Sequence, residues 1–148
     1  RKVLPDAEWV CADVFDLPDL GCFDFAIANP PFGKGGPIKG VTLDLNVVAV
    51  AARLADYGVF ILPQGSSPFR LSGQRCFDPT PGAAYARFHE RTGIELGPSC
   101  GIDCDYFRDQ WRGVAPAVEV CIGDFSEWRA SQAALAEPVA QDLFGEAA

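Results

Sequence analysis

The sequence predicts an α/β fold, with a mostly parallel sheet that closes on an antiparallel pair of C-terminal strands. Three features point to it. Short apolar runs end in polar residues, as buried strands do where they leave a sheet. A strand, a helix and a second strand follow one another between Phe23 and Leu62, which makes one right-handed crossover unit. Near the C-terminus, Val118, Val120 and Ile122 alternate with Glu119 and Cys121, the period of a strand with two unlike faces.

Taken in order, Trp9-Val10-Cys11-Ala12 reads as a buried strand ending at Asp13, and Phe23 to Ala28 as a second one ending at Asn29-Pro30-Pro31-Phe32. From Asp44 to Tyr57 the residues Val47, Val48, Ala51, Leu54 and Ala55 recur at helical spacing, with Asp44 as N-cap and Gly58 just past the end. Val59-Phe60-Ile61-Leu62 is a continuous apolar run stopped by Pro63, the composition of a central parallel strand covered on both faces. Gln64 to Thr80 is rich in Gly, Ser and Pro and long for a connection, so a mobile functional loop is expected there. A shorter helix follows, with Thr80 as cap, Pro81 in its first turn and Gly93 after its end. Ile94 to Leu96 and Ala117 to Ile122 supply the antiparallel pair, and the alanine-rich stretch after Ser126 reads as a surface helix fraying into a disordered end. Residues 1–125 are read as one domain and 126–148 as a C-terminal helix or disordered tail.

Composition narrows the function. A chain of 148 residues with 49% hydrophobic content builds one core rather than two. Its net charge of −8 opposes nonspecific attraction to phosphate backbones, and no basic tail or stripe offsets it. A nucleic-acid substrate would then be held by a missing domain, a partner subunit, or a local basic loop such as the one carrying Arg70 and Arg75. Cys11, Cys22 and Cys121 lie in or beside strand-like runs and are expected to be buried and reduced. Cys100 and Cys104 lack the spacing and the second ligand pair of a structural zinc site, and His89 is the one histidine, so no metal site is expected. No apolar run approaches the roughly 20 residues needed to span a bilayer, and the N-terminus has no signal-like apolar region. A cytoplasmic location without membrane contact is the expectation.

Asn29-Pro30-Pro31-Phe32 carries the chemistry, because the carboxyl end of a buried strand is where open α/β sheets place their ligands. Two consecutive prolines have no N–H and cannot extend a sheet ladder, which leaves the carbonyls around them free to accept hydrogen bonds. The Asn29 amide oxygen and the Pro30 carbonyl together suit both hydrogens of an amino group, and the Phe32 ring offers a stacking face to a planar base. The bland reading is a strand end with Phe32 packed in the core. Lys34, Lys39 and the glycines at 33, 35 and 36 read either as a flexible substrate-facing loop or as a solvated turn. Trp111 could stack on a base or fill a core edge.

The segment Phe23-Asp24-Phe25-Ala26-Ile27-Ala28-Asn29-Pro30-Pro31-Phe32-Gly33 resembles the catalytic motif of class I S-adenosylmethionine-dependent methyltransferases that act on amino groups. It resembles especially the N6-adenine DNA methyltransferases of restriction-modification systems, of the type I modification-subunit kind. In that family an Asn-Pro-Pro-aromatic loop holds the target amine and stacks the flipped base. Ala12-Asp13-Val14-Phe15 is similar to the family's segment whose acidic residue contacts the adenine of the cofactor, and Gly58 to Gly65 resembles the next strand and its Pro-Asn-Gly loop. The likeness covers roughly Trp9 to Arg75, with a looser fit of the last two strands.

The resemblance implies a partial Rossmann-like three-layer sandwich and methyl transfer to the exocyclic amino group of adenine in DNA. It also implies S-adenosyl-L-methionine as cofactor. Asn29, Pro30, Pro31 and Phe32 would be the catalytic set, and Asp13, Val14, Phe15 and Asn29 the cofactor contacts. The chain departs from the family by having no Gly-rich first strand and no second strand ending in an acidic ribose ligand. The isolated chain is therefore expected to bind the cofactor weakly or not at all, and to pair its open sheet edge in a homodimer or strand-exchanged assembly. A methyltransferase on RNA bases or protein glutamine is the enzymatic alternative. A non-catalytic remnant or interaction module is the other.

Overall fold

Alternating burial along Ala55–Pro63 sets the architecture: Gly58, Phe60 and Leu62 are buried, whereas Tyr57, Val59 and Ile61 are exposed or half-buried. One face of this strand therefore meets helices and the other does not. The structure, a computed structural model, describes residues 6–99, 108–110, 113 and 116–136. Its elements are β1 (Phe23–Ala28), α1 (Leu43–Leu54), β2 (Ala55–Pro63), α2 (Ala83–Thr92), β3 (Gly97–Pro98), β4 (Val118–Asp124) and α3 (Ser126–Ala136), with short 3-10 turns at Gln64–Ser66 and Arg108–Gln110.

They form a small α/β domain around a four-stranded mixed sheet of order β1-β2-β4-β3. β1 and β2 are parallel, with Phe25 opposite Tyr57 and Ile27 opposite Val59. β4 runs antiparallel to both β2 and β3. The core gathers Leu45, Val48 and Ala52 of α1, Phe60 and Leu62 of β2, Tyr85 and Phe88 of α2, and Cys121 and Phe125 at β4. Gly58 and Gly123 stand opposite each other across β2 and β4. A Cβ on either would overlap the Phe125 ring, so these two strands need glycine where the ring lies against the sheet.

Several expected boundaries moved. Thr42, not Asp44, occupies the N-cap of α1, and its hydroxyl meets Ser66 Oγ at 3.2 Å instead of capping the helix. The helix ends at Leu54 rather than Tyr57, because Ala55 to Gly58 pair with β1 and the ladder overrides their helical periodicity. α2 starts at Ala83 with Gly82 as N-cap, later than Thr80 and Pro81 suggest. Its end at Gly93 is as expected, with the left-handed φ of 68° that glycine tolerates. Ile94 and Leu96 are core residues leading into β3 rather than a strand of their own. α3 fits the expected surface helix; its first turn is held by Asp124, whose carboxyl lies below its ordinary range because Ser126 donates to it through hydroxyl and backbone N–H. Residues 137–148 lie outside the described residues.

The stretch Trp9 to Ala12 forms no strand, and Trp9 and Val10 are exposed. Strands persist by pairing, and no described strand lies beside it. Cys11 and Cys22 are exposed rather than buried, while Cys121 is buried as expected. Cys100, Cys104 and Trp111 lie outside the described residues.

Among the described residues the helices share one core on one side of the sheet, so the third layer of the expected sandwich is not among them. The opposite face carries Phe25 at 68% exposure and Ile27 at 82%, flanked by Phe23, Tyr57 and Ile122. Phe25 and Tyr57 stack on that face with ring centroids 5.6 Å apart. Among the described residues no helix is long and apolar enough to cross a membrane.

Candidate functional site

Asn29-Pro30-Pro31-Phe32 leaves β1 at the carboxyl end of the parallel pair, the end at which β2 runs into the Gln64–Ser66 turn. Pro30 is buried and anchors the turn, while Asn29 and Pro31 are exposed and Phe32 is 40% exposed. The Phe32 ring is thus not a core ring, against the bland reading. Among the described residues the Asn29 amide and the Pro30 carbonyl have no hydrogen-bond partner. The Asn29 side chain and the Phe32 ring are therefore exposed at neighbouring positions of the turn, around a buried Pro30.

The loop that follows, read either as a flexible substrate-facing loop or as a solvated turn, is closed by backbone hydrogen bonds. Leu43 N–H donates to the Gly33 carbonyl at 2.9 Å, and Lys34 bridges to Thr42, so residues 33–43 close on themselves at the N-terminus of α1. Asn46, buried on the first turns of α1, plugs this closed loop. Its Oδ1 accepts from Ile38 N–H at 2.8 Å, and its Nδ2 donates to the carbonyls of Gly35, Val41 and Thr42. Gly36 has a φ of 100°, and a Cβ there would overlap the Asn46 side chain. Sequence reasoning passed over Asn46; its signal was an amide inside an otherwise apolar helix face, preceded by a Gly-rich stretch.

A second loop completes the rim. Residues 64–80, the stretch expected to form a mobile functional loop, are tied to β4 by the carboxylate of Glu119, which is 2% exposed. Glu119 accepts from Gln64 Nε2 (3.0 Å), Leu71 N–H (2.6 Å), Ser72 N–H (3.2 Å) and Ser72 Oγ (2.6 Å). Leu71 is held at a φ of 58°, which costs an L-residue of order 1–3 kcal/mol and persists because its surroundings impose it. Arg70 and Asp78 exchange backbone hydrogen bonds at 2.8 and 3.0 Å and close the loop. The alternation of β4 is thus opposite to simple expectation: the face bearing the charge is the buried one, because the loop brings donors to it.

Asp13, Val14 and Phe15 are not brought to this rim. The Asp13 carboxylate accepts from Phe15 N–H at 2.9 Å in a local turn, and Val14 and Phe15 line a cavity of about 290 Å³ with Val50, Arg53 and Leu54. Those three residues belong to the last turn and a half of α1, whereas Leu43 at its other end holds the Asn29 loop. At 1.5 Å per residue the two ends are roughly 15 Å apart along the helix. The residues present therefore do not assemble a cofactor site around Asp13 and Asn29 together. Asp44, in the first turn of α1, has both carboxylate oxygens buried and without a hydrogen-bond partner among the described residues. The positive end of the helix dipole favours a carboxylate at that position.

The turn presents an Asn29 amide and a Pro30 carbonyl without hydrogen-bond partners among the described residues and an exposed Phe32 ring, next to a loop fixed by Asn46; acceptors and a ring of this kind suit a planar group bearing an amine. No family model matches the chain, and no curated protein or solved structure matches it either.

Proposed function

We propose that this chain carries the amine-binding part of an S-adenosylmethionine-dependent methyltransferase that acts on the exocyclic amino group of adenine in DNA. The observation that carries the reading is the Asn29–Phe32 turn at the carboxyl end of a parallel strand, with its acceptors unengaged and its ring exposed. In this reading the Asn29 amide oxygen and the Pro30 carbonyl accept the two amine hydrogens. That draws the nitrogen lone pair out of the ring's conjugation and offsets positive charge developing on nitrogen. Phe32 stacks on the base and fixes its plane. S-adenosylmethionine would supply an electrophilic methyl group; no step is drawn through Asp13, Val14 or Phe15, which lie elsewhere.

Titration of a short adenine-containing single strand into the chain tests the acceptor geometry. The same strand with N6,N6-dimethyladenine keeps the stacking surface and loses both amine hydrogens. Adenine is expected to bind about tenfold tighter, the worth of one to two hydrogen bonds. Equal affinity would sink the reading.

The uncovered sheet face supports a second reading of the assembly. Parallel sheets are normally covered on both faces, and β1 leaves an edge unpaired among the described residues. A homodimer, a strand-exchanged assembly or a partner domain would bury Phe25 and Ile27. Light scattering at increasing concentration is expected to show a species heavier than the monomer, and this species should be lost in Phe25→Asp with Ile27→Asp. A monomer throughout would overturn self-association.

A further inference from the structure

We propose that a cationic track on the α1/α2 side of the molecule, built from Lys34, Arg87, Arg91 and Arg53, holds the phosphate backbone of the nucleic acid whose base enters the Asn29–Phe32 turn. The proposal rests on the function read above and deepens it, because it says how a chain of net charge −8 grips a polyanion. Two neighbouring cavities define the track. One, of about 390 Å³, is lined by Lys34 and Arg87 around Gly40. The other, of about 430 Å³, is lined by Arg53 and Arg91 around Ile38. Both open onto the same closed loop, residues 33–42, that continues directly from Phe32. A Cβ placed on Gly40, in the first cavity, would stand 3.8 Å from the Arg91 guanidinium of the second.

Each of the four cations is exposed, and none forms an ion pair among the described residues. Arg87 and Arg91 are one helical turn apart on α2 and so share a face. Their loop neighbours are held in place by the Asn46 plug and the Lys34–Thr42 bridge, so the track is preorganised and begins beside the candidate base site. The sign reverses beyond Trp128, where Glu95, Asp124 and Glu127 line the adjoining cavity. A phosphate strand would therefore be attracted along one stretch and repelled at its far end. An acidic peptide is the other polyanion of this kind, but adjacency to the exposed Phe32 ring, on which a base can stack, favours nucleic acid.

Fluorescence anisotropy with a labelled single-stranded oligonucleotide, without cofactor, reads the track alone. Affinity is expected to fall with salt, and Arg87→Glu with Arg91→Glu is expected to weaken binding at least tenfold and to flatten the logarithmic salt slope by about 0.7 per lost contact. An intact slope in the double variant overturns the track, as does loss of binding in Arg75→Glu alone, which would move the contact to the loop after β2. Equal competition by polyglutamate also overturns it. Track binding combined with equal affinity for adenine and dimethyladenine would sink the amine reading and leave the track standing.

Discussion

Glu119→Ala is expected to lower the unfolding free energy by about 3 kcal/mol. It is also expected to turn the loop after β2 into a protease-sensitive segment. The carboxylate is buried on β4 and is the common acceptor for Gln64, Leu71 and Ser72. Alanine would take the shared acceptor from these donors, and an orphaned buried donor costs more than the hydrogen bond was worth. The loss should also release Leu71 from its left-handed conformation, returning some of the strain and bounding the total. Urea denaturation measures the free energy, and trypsin cleavage after Arg75 measures the loop. Glu119→Gln keeps the size and one acceptor oxygen, so an intermediate loss is expected. Unchanged stability in Glu119→Ala, together with an uncleaved Arg75, would show that the loop is ordered by other contacts.

Asn29→Ala is expected to do the reverse: leave stability within about 0.5 kcal/mol, as surface substitutions do, and lower methyl transfer by roughly 100-fold or more, as loss of one preorganised polar group at a reacting centre does. Asn29 is exposed and its side chain makes no hydrogen bond among the described residues, so folding does not depend on its amide. Radiolabelled methyl transfer from S-adenosylmethionine to DNA, in the assembly in which the wild-type chain is active, gives the ratio. Asn29→Asp retains an acceptor oxygen and should recover part of the rate. A variant as fast as wild type would remove Asn29 from the chemistry.

The crossover unit was legible in the sequence because two apolar runs flank a helical repeat, and local periodicity was enough to place β1, α1 and β2. Legibility failed where partners decide. Trp9 to Ala12 has a strand's composition, yet an isolated extended segment has no ladder to join. Ala55 to Gly58 continues the helical spacing of α1, yet pairing with β1 makes it strand. Glu119 lies in an alternating strand whose polar face composition places toward water, and only the return of Leu71 and Ser72 from 47 or more residues away makes burial tolerable. The Asn29–Phe32 turn was found because proline and asparagine at a strand end are local signals. The pinning of its neighbour loop by Asn46 is a tertiary fact, as is the basic track, whose four cations come from three separate segments.

The most direct test of the central claim is a nuclear magnetic resonance titration of the isotope-labelled chain with the adenine-containing strand. The account predicts saturable shifts at Asn29, Phe32 and Gly33, and at Leu43, whose N–H is bonded to the Gly33 carbonyl, all diminished with dimethyladenine. Saturable binding that leaves those four signals unmoved would contradict it, and would place the ligand away from the Asn-Pro-Pro-Phe turn.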